Sequence, residues 1–175
     1  RLQHPGVVAV FAAGESEGHP YLAMELVPGR GLDEILDEAQ GEVEKLPSVE
    51  QQLRWFRQLA RALSHAHEQS VVHRDIKPSN ILTTLFGHPV LSDFGIASSL
   101  GAAPDAAETV GMSVPWSAPE VLLDETTGTI ASEIWSLAAT LYSLIAGRSP
   151  FEQPGGANET NDLISRITRS RLPAI

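Results

Sequence analysis

Between Val71 and Asn80 the chain reads VVHRDIKPSN, placing an acid, two cations and an amide in the few residues that follow a β-branched pair. The stretch is entered from a long amphipathic pattern and left into a short apolar one, so any fold has to hold a charged segment between two packed elements. A solvated loop can carry such residues to no purpose. Their spacing acquires meaning only if the flanking elements fix them around a common point.

The entering pattern starts at Ser48, which forms a capping box with Gln51, and Leu53, Phe56, Ala60 and Leu63 continue it along one predicted helical face to about Glu68. On the far side, Ile81 to Thr84 and Pro89 to Ser92 read as a small hairpin around LFGH. Nearer the start, Val7 to Ala12 and Tyr21 to Val27 are strand-forming runs joined by AGESEGHP, whose glycines and proline suit a loop. Leu32, Ile35 and Leu36 have the spacing of a short helix over Leu32 to Glu38, and the acidic DEAQGEVEKLP that follows reads as a solvated loop. Small residues fill Gly95 to Val114, a long loop of the kind that is usually functional. Ile130 to Ala146 is apolar nearly all round, the mark of a helix buried inside a domain, and a further amphipathic helix is predicted from Asn161 to Arg169. Strands followed by helices argue for an α+β domain.

The 175 residues suffice for one domain with a real core. A formal net charge of -10 argues against a nucleic-acid footprint or a general affinity for anionic membrane. The absence of cysteine excludes disulfides and thiolate metal sites and points to a reducing, cytoplasmic setting. The longest apolar stretch is interrupted by Ser136, Thr140 and Ser143 and is too short to span a bilayer, so no membrane segment is expected in this chain. No signal peptide is legible. His65 and His67 are two apart on the predicted helix and face different directions, which does not suggest a metal pair.

HRDIKPSN, the later SDFG and the later SAPE, taken together and in that order, resemble the motif set of the protein kinase superfamily, and the likeness runs over essentially the whole chain. It implies a protein-kinase-like fold: strands of a partial small lobe and a mostly helical large lobe, truncated at both ends, with residues 1–27 as the end of the N-lobe and the hinge and residues 28–175 as the C-lobe. The pattern D-x-K-P-x-N resembles the serine/threonine branch. VPGRGL, PWSAPE and SLAATLYSLIAGRSPFE are most similar to bacterial serine/threonine kinases of the eukaryotic type.

By this resemblance the activity is transfer of the γ-phosphate of ATP to serine or threonine hydroxyls of protein substrates, with Mg2+ as the metal. Asp75 would orient the hydroxyl and accept its proton, Lys77 would lie against the transferred phosphate, and Asn80 and Asp93 would each supply an oxygen to magnesium. Ser113 stands where the family has a threonine bonded to the catalytic aspartate and lysine. Met24 is the expected gatekeeper, Glu25 and Val27 would meet the adenine edge through their backbone, and Leu82 would floor the adenine pocket. Arg74 is expected to pair with a phosphate on Thr109, which would order the loop. His73 is read as a packed core histidine, Phe94 as a packing switch and Gly95 as a turn. Glu120 belongs to SAPE, and Glu133 replaces an aspartate that bonds to the HRD backbone; the longer side chain is expected to reach His73 or Arg74 all the same.

The chain opens at Arg1, with no initiator methionine, directly into HPGVVAVF, and the family's Gly-rich loop, strand lysine and helix glutamate have no counterpart here. A fragment is therefore expected, inactive in isolation, with the activity assigned to the complete parent protein, which could be membrane-anchored outside this segment. The alternatives are a pseudokinase or interaction module without phosphotransfer, against which intact Asp75, Lys77, Asn80 and Asp93 weigh, and a small-molecule phosphotransferase of kinase-like fold, a group that generally lacks an APE segment.

Overall fold

The computed structural model describes residues 2–94 and 113–169. Gly95 and Thr109 lie outside them, as does most of the long loop expected before Val114. Two sheets and five α-helices are present among the described residues. A two-stranded antiparallel sheet pairs β1 (Val10–Ser16) with β2 (His19–Met24), and a three-stranded one has the order β3 (Arg30–Gly31), β4 (Ile81–Thr83), β5 (Pro89–Leu91), all antiparallel. The helices are α1 (Leu32–Ala39), α2 (Val49–Glu68), α3 (Pro119–Leu122), α4 (Ile130–Ala146) and α5 (Thr160–Thr168). The α+β reading holds.

The first hairpin is tighter than its sequence suggests. AGESEGHP is mostly strand, and the chain reverses at Glu17 and Gly18, both at positive φ, the conformation that lets a two-residue turn follow the strand twist. Val7 is not in that sheet; it forms an isolated parallel bridge to Leu91 and so ties the opening segment to the second sheet. The two-residue β3 was not legible, since Arg30 and Gly31 carry no alternation. It forms because Gly29 passes so close to the Thr83 carbonyl that a Cβ there would run into it.

Helix α2 begins as expected at Ser48, whose hydroxyl accepts the Gln51 N–H at 3.3 Å, although the Gln51 side chain turns to Arg54 and the capping box stays half made. Its buried face is Gln52, Trp55, Phe56, Leu59, Ala62, Leu63 and Ala66; Leu53 and Ala60 are exposed, so the expected face was rotated. Around it the main core gathers Leu32, Ile76, Ile81, Leu91 and Leu144. A second cluster, Val114, Phe151, Leu163 and Ile167, holds α5. The acidic loop after α1 contains a 3₁₀ turn, Val43–Lys45, and buries Leu46.

Helix α4 corrects another expectation. Ile130 and Ile134 are 49% and 62% exposed, while Ser132, Glu133, Thr140 and Ser143 are buried. The hydroxyls turn back on their own helix: Ser136 donates to the Ser132 carbonyl, Thr140 to that of Ser136 and Ser143 to that of Ala139, at 2.9 to 3.1 Å. A hydroxyl satisfied inside its helix buries at little penalty, and its small volume lets neighbouring elements approach. The capping box missing at Ser48 is complete here, between Thr129 and Ser132.

Candidate functional site

The segment from His73 to Asn80 leaves α2 through a turn and is pinned at both ends. At its start His73, fully buried, donates from Nε2 to the Ser92 carbonyl at 2.8 Å and accepts the Asp75 N–H on Nδ1 at 3.3 Å. Burial is the main influence on this imidazole and holds its pKa below the usual value, against the opposing pull of Glu133, the Ser92 carbonyl and Asp75. The Phe94 ring packs on it, centroids 4.4 Å apart. At the far end a 3₁₀ turn, Pro78–Asn80, leads into β4.

Asp75 is where the segment converges. Its Oδ1 accepts the Ser113 hydroxyl at 2.6 Å, and its Oδ2 meets Lys77 Nζ at 2.9 Å and Asn80 Nδ2 at 2.9 Å. Lys77 also donates to Ser113 Oγ at 2.8 Å, which closes a ring of three residues. The same Asn80 Nδ2 donates to the Asp75 carbonyl at 2.8 Å, fixing the segment against itself. Burial alone would raise the Asp75 carboxyl, but hydrogen bonds from Ser113, Lys77 and Asn80 and the Lys77 charge outweigh it, so its pKa lies below the ordinary carboxylate value.

Asp93 stands two residues after β5 with φ 58, a left-handed conformation that aspartate tolerates better than most residues with a Cβ. The Ser92 hydroxyl lies 3.2 Å from both Asp93 Oδ2 and the Asn80 carbonyl, so Asp93 and Asn80 are near neighbours through one side chain. Arg74 has φ 72, and its N–H donates to Glu133 Oε1 at 2.7 Å. The other Glu133 oxygen, Oε2, meets His67 Nε2 at 2.6 Å. Glu133 is only 2% exposed, and these two partners account for both its oxygens.

Met24, at the end of β2, lines a cavity of about 300 Å³ together with Val8, Val10, Phe11, Asp93 and Phe94. Glu25, Val27 and Leu82 do not line it. The Glu25 N–H is taken by the Ala9 carbonyl, the Val27 carbonyl accepts from Gly29, and Leu82 sits in β4 between Gly31 and Val90. Glu120 lies in α3 and makes no ion pair among the described residues. Two participants escaped the sequence reading. Ser92 was taken as a strand end and His67 only as a histidine unsuited to metal; a partner on another helix leaves no local trace.

A family profile described as "Protein kinase domain" matches residues 1–173. Among curated proteins, serine/threonine-protein kinase Nek3 of Mus musculus is 33% identical over 178 residues, covering all of this chain and 33% of that protein. Serine/threonine-protein kinase PknA of Mycobacterium tuberculosis is 38% identical over 160 residues, 88% of this chain and 36% of that protein. PknJ of the same species is 35% identical over 161 residues, 89% of this chain and 26% of that protein. The chain thus spans about a third of the length of these curated relatives.

Proposed function

The chain belongs to the protein kinase domain family, and from that premise we propose that it carries the phosphate-transfer centre of a serine/threonine protein kinase, which moves the γ-phosphate of ATP to serine or threonine hydroxyls of proteins. One observation carries the reading: Ser113, Lys77 and Asn80, from two separate parts of the chain, all donate to the Asp75 carboxylate. A carboxylate held ionised beside an ammonium group is what abstraction of a hydroxyl proton next to a phosphate requires.

In the reaction the substrate oxygen bonds to the γ-phosphorus, the bond from that phosphorus to the bridging oxygen of ADP breaks, and the hydroxyl proton passes to Asp75. Lys77 lies against the transferred group and balances its charge. Asn80 and Asp93 fit a magnesium ion. With Asn80 Nδ2 turned to Asp75, the amide presents Oδ1 as its acceptor, and Asp93 is exposed with the Ser92 hydroxyl beside it; both are hard oxygen donors. A bound magnesium ion would neutralise phosphate charge.

For the nucleotide we assign Met24 as gatekeeper, the Glu25 carbonyl and Val27 N–H as the adenine-facing backbone, and Leu82 as the floor. Neither of those two backbone groups takes part in a backbone hydrogen bond among the described residues, which supports the assignment. Residues 1–27 are read as the end of the small lobe and the hinge, and residues 28–175 as the large lobe; the separate β1–β2 sheet accords with this. The Arg74 side chain makes no ion pair among the described residues and is assigned to a phosphate on Thr109. No helix among the described residues is long and apolar enough to cross a membrane.

The test is magnesium-dependent transfer of labelled phosphate to a protein by the full-length enzyme, with Asp75→Asn as comparison. A loss of roughly 10²–10⁴-fold is expected. Equal transfer by both forms would refute the assignment.

A further inference from the structure

We propose that Ser92 is a positioning residue for the metal site: its hydroxyl holds the Asp93 carboxylate by Oδ2 and so leaves Oδ1 to meet magnesium beside the Asn80 oxygen. The proposal rests on the kinase reading and adds to it a residue on which the Asn80–Asp93 pair depends.

Ser92 follows β5 directly and is fixed through its backbone. Its N–H donates to the Asn80 carbonyl at 2.9 Å, one step beyond the Ile81–Leu91 pair of the β4–β5 ladder, and its carbonyl accepts His73 Nε2 at 2.8 Å. The residue is 5% exposed, so its hydroxyl has to find an acceptor among protein atoms rather than in bulk water. Two lie within reach at 3.2 Å, the Asn80 carbonyl and Asp93 Oδ2. The hydroxyl has one proton to give. The Asn80 carbonyl already takes the Ser92 N–H, whereas the carboxylate is charged and the stronger acceptor, so the proton goes to Asp93.

Asp93 depends on that contact. It is exposed and in left-handed backbone, and among the described residues its carboxylate forms no ion pair and no side-chain hydrogen bond except the one from Ser92. Asn80, by contrast, is fixed twice, to the carbonyl and to the carboxylate of Asp75. One of the two oxygen donors is thus rigid, and the other is steered by a side chain whose own backbone hangs from the first. A partner behind a metal-ligating carboxylate restricts its orientations before the ion arrives, so less freedom is lost on binding. Alanine at position 92 keeps both backbone bonds and removes only this link.

Metal binding is read apart from turnover by electron paramagnetic resonance of protein-bound Mn2+, a spectroscopic stand-in for magnesium, added to the full-length protein with ADP. Ser92→Ala is expected to weaken Mn2+ binding by roughly tenfold. Ser92→Thr, which keeps the hydroxyl, should retain the parent's affinity. Binding of ADP without metal, which a general disturbance of the site would lower, should be the same in all three forms. Equal Mn2+ affinity in the parent and in Ser92→Ala overturns the proposal while the metal reading stands. An equal loss in Ser92→Ala and Ser92→Thr also overturns it, because packing rather than the hydroxyl is then responsible. If the parent with ADP shows no bound Mn2+, the assignment of Asn80 and Asp93 to a metal falls, and this proposal falls with it.

Discussion

Glu133 Oε1 accepts the backbone N–H of Arg74 at 2.7 Å, across 59 positions of sequence. This one bond ties the buried face of helix α4 to the residue before Asp75 and holds Arg74 at positive φ. With His67 on the other oxygen, the carboxylate joins α2, α4 and the segment from His73 to Asn80.

Removing that buried carboxylate should leave a cavity and take the partner from a partly buried N–H and a partly buried imidazole. Glu133→Ala is expected to lower stability by about 2–4 kcal/mol. Urea unfolding of the variant beside the parent measures this, and a change below about 0.5 kcal/mol would contradict the accounting.

Ser113→Ala removes the hydroxyl that bonds Asp75 Oδ1, so the Asp75 pKa should rise toward the ordinary carboxylate value. A carboxyl whose pKa is lowered by folding contributes stability above its unfolded value and loses it as pH falls through the folded value. The acid edge of the stability profile should therefore move to higher pH in Ser113→Ala and stay in place in Ser113→Thr, which keeps the hydroxyl. Carboxyl-carbon NMR titration reads the shift directly.

Gly128 sits at φ 128, and a Cβ there would meet Arg74 Cγ at 3.1 Å. Gly128→Ala combines backbone strain with that contact and should be destabilising by about 1–3 kcal/mol. The chemical shift of the Arg74 amide should move with it, whereas Gly41→Ala, strained in φ but with nothing near its Cβ, should leave that amide unchanged.

Leu59 is fully buried in the main core on α2. Leu59→Ala should lower stability by roughly 2–5 kcal/mol through lost burial and the cavity left behind. Leu53→Ala, at a position the apolar pattern made equivalent but which is 49% exposed, should change it by less than about 1 kcal/mol; thermal unfolding separates the two.

The helices were legible wherever polar and apolar residues alternate at helical spacing, as in α1, α2 and α5. Precision failed where pattern could not choose a face: Leu53 and Leu59 are equally apolar, and only the position of the second sheet and α4 buries one of them. Helix α4 misled because it is apolar nearly all round and names no outer face: Ile130 and Ile134 are exposed, while Thr140 and Ser143, their hydroxyls satisfied by the carbonyl four residues back, are buried. Tight turns such as Glu17–Gly18 are set by backbone twist more than by residue type, so the hairpin appeared longer as a loop than it is.

The order and spacing of HRDIKPSN, SDFG and SAPE were enough to identify the family, since those residues are close in sequence and their chemistry is written in their side chains. That Ser113 closes on Asp75 and Lys77, that Ser92 bridges Asn80 to Asp93, and that His67 completes Glu133 depended on tertiary structure alone. Each of those contacts joins elements far apart along the chain. Short-range propensity carries no information about which distant donor will satisfy a buried acceptor; packing makes that choice.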